Sequence, residues 1–149
     1  LIDADEVGIE KRISEINGIL KKVGIEVEFK YINEFQKDIK NDIEIACHIL
    51  NIDDKGSLDN ILKTIAKGKS EYADCLKAWK ECLEDKGESV SDTIFTKFWV
   101  NNYLRFDTCT KKEQKQSSKK CNFEKALEKD TWDFEHKSLK SLKFFLKMF

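Results

Sequence analysis

Residues 25–50, IEVEFKYINEFQKDIKNDIEIACHIL, decide which fold class the sequence predicts. The segment begins with an alternation of apolar and charged residues from Ile25 to Tyr31, which is typical of a strand. A helical register runs further, because apolar residues recur at spacings of three and four as far as Leu50. We therefore predict a helix over 27–50, with a short extended start as the minor alternative. The residues that fit this helical register are Ile25, Phe29, Ile32, Phe35, Ile39, Ile43, Cys47 and Leu50.

The rest of the chain also predicts helices. Proline, the strongest helix breaker, is absent from all 149 residues. Amphipathic periodicity and capping residues indicate five further helices. They run from near Asp3 to Gly24, from Ser57 to Gly68, from Ser70 to Gly87, from Ser89 or Ser91 to about Phe106, and over 123–148 with a bend near Asp130. The predicted fold is all-α, a compact bundle of about six helices in a single domain over residues 1–149.

Five cysteines indicate the compartment. They are Cys47, Cys75, Cys82, Cys109 and Cys121. The chain opens with Leu1, so we expect a mature chain whose leader has been removed, with a trimmed chain as the alternative. Together these features favour a secreted, extracellular protein with about two disulfides, and the alternative is five reduced thiols in the cytosol.

The pairing of these cysteines stays open. Cys75 and Cys82 cannot bond within one helix, because seven residues rise by about 10.5 Å and a disulfide needs Cα atoms within about 7 Å. The most local bond joins Cys109 to Cys121, and Cys47 then bonds to Cys75 or Cys82. Alternatively, Cys75 and Cys82 both bond outward, to Cys47 and to the 109–121 region. The fifth thiol is buried or forms an intermolecular bond.

Charge is distributed unevenly along the chain. Residues 1–60 carry 14 acidic and 8 basic residues, and residues 61–149 carry 14 acidic and 19 basic residues. The basic half therefore predicts a surface for a polyanion, an acidic protein or a membrane surface, although a solvated face is the simpler interpretation. Two sets of lysines carry this prediction. They are Lys111, Lys112, Lys115, Lys119 and Lys120 in a loop over 108–120, and Lys137, Lys140, Lys143 and Lys147 on the last helix.

Aromatic residues are abundant in the same half. Such residues usually form the core, but between helices they also line cavities for apolar ligands, with Tyr and Trp polar tips that orient the ligand. The candidate ligand-binding residues are Trp79, Phe95, Phe98, Trp99, Tyr103 and Trp132.

No motif for catalysis or cofactor binding is evident. His48 follows Cys47 directly, and neighbours on a helix diverge by about 100°, so the pair does not form a catalytic dyad. Residues 51–56 resemble the start of a calcium loop, but Leu62 stands where a Glu ligand is required. We expect no catalytic residue, no metal and no cofactor. DNA reading is also not expected, because Arg105 is the one arginine in the basic half, and no run of about 20 apolar residues predicts a membrane span.

The cysteine pattern resembles that of insect odorant-binding proteins and their salivary D7-type relatives. The 27 residues between Cys47 and Cys75 and the 11 between Cys109 and Cys121 are similar to the first and fourth spacings of that family. Cys75 and Cys82 enclose six residues where the family has three, and a sixth cysteine is absent. The resemblance implies a secreted helical binding protein, without transferring any ligand-binding residue.

Two functions follow as expectations. The first is a secreted, non-enzymatic protein that holds a small, mainly apolar ligand in an aromatic-lined cavity between helices. The alternative is a secreted, salivary-type effector that binds and inhibits a host protein through its basic surface.

Overall fold

A β-hairpin lies within the segment 27–50, where the sequence predicts a helix. The structure is a computed structural model that describes residues 1–116 and 121–149. Strands β2, Phe35–Asp38, and β3, Ile43–Ala46, pair antiparallel, with Phe35 opposite Ala46 and Asp38 opposite Ile43. A second, parallel sheet joins β1, Ile2–Asp3, to β4, Ile49–Leu50. The predicted all-α fold is therefore wrong, and the chain is mixed α and β.

The side chain of Asp38 explains why the hairpin forms. Its Oδ1 accepts hydrogen bonds from the backbone N–H groups of Lys40, at 3.0 Å, and Asn41, at 3.3 Å. Asp42 takes a positive φ of 49°, a conformation that aspartate tolerates better than most residues. Ile39 lies at the exposed turn. Local side-chain hydrogen bonding thus overrides a helical register that local spacing alone supports.

Seven α-helices occur in the described residues. They are α1, Ile9–Lys22; α2, Leu58–Ile65; α3, Leu76–Glu84; α4, Asp92–Asn102; α5, Lys111–Gln114; α6, Phe123–Leu127; and α7, Lys140–Leu146. A π-helix, Tyr103–Asp107, follows α4, and a 3₁₀ turn, Lys137–Leu139, precedes α7. The single helix predicted over 123–148 is thus two short helices with irregular chain between them.

Several predicted helix boundaries are confirmed. Helix α1 ends just before Gly24, which has a φ of +80°. The hydroxyl of Ser91 accepts the backbone N–H of Ile94 and caps α4. Gly68 and Gly87, also at positive φ, follow α2 and α3. These ends were predictable because capping chemistry is local.

The chain divides into two compact units. The first unit is Leu1–Ile61 with Glu135–Phe149, and the second is Leu62–Phe134. In the first, Ala4, Phe29, Ile49, Leu139 and Phe145 are buried. Asn17 of α1 holds Phe29 by two hydrogen bonds, accepting its backbone N–H at 2.8 Å and donating to its carbonyl at 2.9 Å.

The core of the second unit is aromatic. Trp99 and Tyr103 stack with ring centroids 5.1 Å apart, and Trp132 meets Tyr103 edge-on at 5.0 Å. Ile65, Val100 and Ala126 are buried in the same unit. A bridge between Ala66 and Trp132 links the end of α2 to the chain after α6.

Candidate functional site

The lysines predicted on the last helix lie along one groove in the first unit. This lysine groove has a volume of about 360 Å³. It is lined by Glu135, His136, Lys137, Lys140, Lys143, Phe144 and Lys147. The spacing of the lysines in the sequence thus identified a shared surface, although the 3₁₀ turn and α7 supply it instead of one long helix.

The groove carries an excess of positive charge. Lys143 forms an ion pair with Glu135, at 2.6 Å. Within the described residues, Lys137, Lys140 and Lys147 form no ion pair within 4.0 Å. All three are exposed. Phe144 is 60% exposed beside them, so the surface combines ammonium groups with an apolar ring.

The opposite side of α7 is buried and holds the segment in place. Phe145 stacks on His48 with ring centroids 5.3 Å apart. Asn33 donates through its amide nitrogen to the Ser141 hydroxyl, at 2.9 Å. The carbonyl oxygen of the same amide is 2.7 Å from Nδ1 of His48. Because that oxygen only accepts, His48 Nδ1 carries the proton and donates.

The environment of His48 favours its neutral form. The side chain is buried, with 2% of its surface exposed. Burial is the main cause that lowers the pKa of His48, and the positive N-terminus lowers this pKa further. Burial likewise raises the pKa of the neighbouring Cys47 thiol. Both shifts favour the neutral forms of these buried groups, and the neutral ring of His48 packs against α7.

The loop lysines form a second basic surface, in the second unit. Lys111, Lys112 and Lys115 are exposed in and after α5. Lys119 and Lys120 lie outside the described residues. Helix α5 starts with a capping box, in which Thr110 and Glu113 bond to each other's backbone N–H groups. Hydrogen bonds to Glu113, first from Lys129 and then from Thr110, lower its pKa to about 2.

The six predicted aromatic residues are placed in different environments. In the core, Tyr103 contacts both Trp99 and Trp132. Trp79 and Phe98 form a partly exposed pair with ring centroids 5.5 Å apart. Phe95 lines a surface cleft. Binding of an apolar ligand by this set remains a prediction.

The polar tips of the core aromatics are bonded to the protein itself. The Tyr103 hydroxyl shares its one proton between the carbonyls of Lys67 and Thr131, at 3.1 and 2.9 Å. Burial raises the pKa of this hydroxyl. The indole N–H of Trp132 donates to the Ala126 carbonyl at 2.8 Å, and that of Trp99 to Asp74 at 3.1 Å. These groups act as internal ties, so they are not available to orient a ligand.

The cleft at Phe95 was not predicted as a whole. This Phe95 cleft measures about 470 Å³ and belongs to the second unit. Its lining residues come from α2, α3 and α4: Lys63, Lys77, Lys80, Glu81, Glu84, Asp92, Phe95 and Thr96. Sequence reasoning found only Phe95, because no spacing relates residues on three different helices.

The five cysteines form fewer disulfides than the sequence predicts. One disulfide joins Cys109 to Cys121, the most local of the pairings considered. Cys47 is free and buried, and Cys75 and Cys82 are free and exposed. The expectation of about two disulfides is therefore wrong. The nearest partner of the Cys75 thiol is the carbonyl of Glu71, at 3.1 Å.

A comparison with family models assigns the chain to a protein family. A model described as "Protein of unknown function (DUF3226)" matches residues 1–149. The chain belongs to this family. No curated protein and no solved structure matches it. The resemblance to odorant-binding proteins therefore remains a prediction for this DUF3226 member.

Two further observations concern metals and membranes. Within residues 1–116 and 121–149, no group of three or more His, Cys, Asp or Glu side chains is placed to hold a metal ion. Over the same ranges, every helix is too short or too polar to cross a bilayer.

Proposed function

We propose that this protein is a non-enzymatic binding protein that holds an acidic segment of another protein in the lysine groove. The observation that carries the proposal is the presence of three ammonium groups without ion-pair partners among the described residues, together with exposed Phe144, along one groove. Carboxylates of a partner would pair with the ammonium groups, and an apolar partner side chain would cover the ring.

A rigid base under the groove supports the proposal. Leu139 and Phe145 are buried in the first unit, and Asn33 binds Ser141 in the same segment. The lysines are thus carried on a segment whose backbone is already fixed. Less conformational entropy is then lost when a partner binds.

The disulfide supports a role outside the cytosol. Cys109–Cys121 persists in an oxidising compartment, where a secreted effector that inhibits a host protein would work. Trapping thiols with iodoacetamide in the medium and lysate of the source cells tests this placement. We expect extracellular protein in which Cys109 and Cys121 are protected while Cys75 and Cys82 react. Protein found only in the lysate, with all cysteines alkylated, would contradict it.

Fluorescence anisotropy with a fluorescein-labelled peptide of repeated Glu-Glu-Phe tests the groove. We expect the double variant Lys140→Gln/Lys147→Gln to weaken binding by about tenfold, because two exposed ion pairs are lost. The matched control is Lys21→Gln/Lys22→Gln, which neutralises two lysines in the last turn of α1. Binding should also weaken as ionic strength rises.

The same assay separates the groove from the other candidates. Lys111→Gln/Lys112→Gln should leave binding unchanged. If this loop variant weakens binding and the groove variant does not, the lysine groove is the wrong site. Equal affinity for a labelled DNA duplex would show a general polyanion surface and overturn the acidic-segment assignment.

A further inference from the structure

The Phe95 cleft contains one unpaired charge of each sign. Its three lysines face three acidic residues. Lys80 pairs with Asp92 at 2.7 Å, and Lys77 pairs with Glu81 at 3.8 Å. Among the described residues, neither Lys63 nor Glu84 forms an ion pair within 4.0 Å. The cleft therefore offers a ligand one ammonium and one carboxylate that lie outside its ion pairs, while Lys63 attracts Asp92 and Glu84 attracts Lys80 at longer range.

The side chain of Thr96 adds a hydroxyl to these two charges. Thr96 lines the cleft but is only 6% exposed. Within the described part of the chain, its side chain takes part in no hydrogen bond. Among the described side chains, Thr131 Oγ1 alone is both fully buried and without a partner, so the Thr96 hydroxyl keeps some accessible surface and can meet a ligand atom in the cleft.

The ring of Phe95 gives the cleft an apolar wall between the charges. The ammonium of Lys63 lies 5.0 Å from the ring centroid, and that of Lys80 lies 5.3 Å from it. The ring attracts both cations and keeps them near the cleft. Lys80 is also fixed by Asp92, whose pKa this hydrogen bond lowers. Among the described residues Lys63 forms no ion pair within 4.0 Å, so it is the ammonium left to bind an anion.

From this arrangement we propose that the Phe95 cleft binds a small zwitterion of the α-amino acid type. The ligand carboxylate pairs with Lys63 and accepts a hydrogen bond from Thr96, while the ligand ammonium pairs with Glu84. An apolar side chain of the ligand lies against Phe95. A dianion would leave Glu84 facing like charge, and a neutral apolar molecule would leave both charges unused. The site is independent of the lysine groove.

Isothermal titration with three matched probes tests the charge pattern. L-Phenylalanine carries both charges, N-acetyl-L-phenylalanine only the carboxylate, and L-phenylalaninamide only the ammonium. We expect L-phenylalanine to bind about tenfold more tightly than either of the others, since each lacks one charge-assisted contact. Absence of L-phenylalanine binding, or equal binding of all three probes, would overturn the proposal.

Two variants assign each charge to its residue. Lys63→Met should remove the preference for L-phenylalanine over the amide, and Glu84→Gln should remove the preference over the N-acetyl compound. The controls are Lys97→Met and Glu88→Gln, which change exposed residues that do not line the cleft. Equal loss in the controls contradicts the assignment. If Lys63→Met fails to fold, Thr96→Val should still weaken L-phenylalanine binding severalfold while the protein melts normally.

Discussion

The side-chain hydroxyl of Thr131, in the second unit, is buried in a way that lowers the stability of the fold. Oγ1 of Thr131 has no hydrogen-bond partner among the described residues. The backbone carbonyl of Thr131 accepts two hydrogen bonds, one from the Tyr103 hydroxyl and one from the backbone N–H of Lys67. The main chain of Thr131 thus links Tyr103 of the aromatic core to Lys67, which follows α2. The side-chain hydroxyl of Thr131 takes no part in this link.

We therefore expect Thr131→Val to raise the free energy of unfolding by about 1 kcal/mol, because an unpaired polar group is replaced by a methyl of similar shape. The matched control is Thr108→Val, since the Thr108 hydroxyl is buried and donates to the Leu104 carbonyl at 2.6 Å. In the control variant the free energy of unfolding should fall by about 1 kcal/mol. Urea unfolding measures both, and a destabilised Thr131→Val would contradict the prediction.

At the scale of elements, the terminal segment of the first unit depends on a neutral histidine. His48 stacks on Phe145 of α7 and donates to Asn33, which in turn donates to Ser141. No acidic side chain takes part in this chain of contacts. A proton added to the ring would place a positive charge among buried groups, with the N-terminal charge as the coulombic neighbour.

We expect the stability of the first unit to fall as the pH drops below 6.5. The folded pKa of His48 lies below its ordinary value of 6.5, so the unfolded chain binds the proton first. Stability is full above 6.5 and decreases until the pH reaches the lowered folded pKa. Chemical shifts of Phe145 and thermal melts at several pH values follow this change.

His48→Gln removes the titrating ring and should give a flatter dependence on pH over the same range. His136→Gln is the matched control, because His136 is only partly buried and its ring is bonded to Ser138 two residues away. A wild-type protein that melts at the same temperature at pH 7 and pH 5 would contradict the role of His48.

Prediction from sequence succeeded for elements whose signals are local. Gly24 after α1 and Ser91 before α4 fix helix ends through their own backbone or side chain. It failed at 35–46, because Phe35, Ile39 and Ile43 fit a helical period, although the chain forms a hairpin there. The bonds from Asp38 to Lys40 and Asn41 decide the outcome, and such turn chemistry outweighs periodicity in this segment.

The two candidate sites also differ in how far the sequence predicts them. The lysine groove was predictable in outline, since Lys137, Lys140 and Lys147 follow one another at spacings of three and seven. The Phe95 cleft was not predictable. Lys63 and Glu84 come from different helices, and the packing that brings them to one cleft depends on contacts between residues far apart in the chain.

At the scale of the whole molecule, a single covalent crosslink constrains the second unit. Cys109 and Cys121 are 12 residues apart. The crosslink joins a residue just after the π-helix to one just before α6. It therefore limits the conformations that the segment containing α5 can adopt in the unfolded chain. Cys75 and Cys82 stay free and exposed, and they serve as internal controls.

We expect Cys109→Ser/Cys121→Ser to lower the free energy of unfolding by about 2–3 kcal/mol, the chain-entropy contribution of a loop of this length. Cys75→Ser/Cys82→Ser should change it by less than about 0.5 kcal/mol. Denaturant unfolding with and without a reducing agent measures both effects. Equal stability of the oxidised and reduced wild-type protein would show that the crosslink contributes little.

The discontinuous first unit has a consequence for synthesis. Its core includes Phe145 and Leu139, yet these residues emerge from the ribosome after all of Leu62–Phe134. The middle of the chain can therefore finish folding while Ala4, Phe29 and Ile49 still wait for their last apolar neighbours. A chain truncated before residue 135 should expose this incomplete surface to chaperones, even when Leu62–Phe134 is already folded.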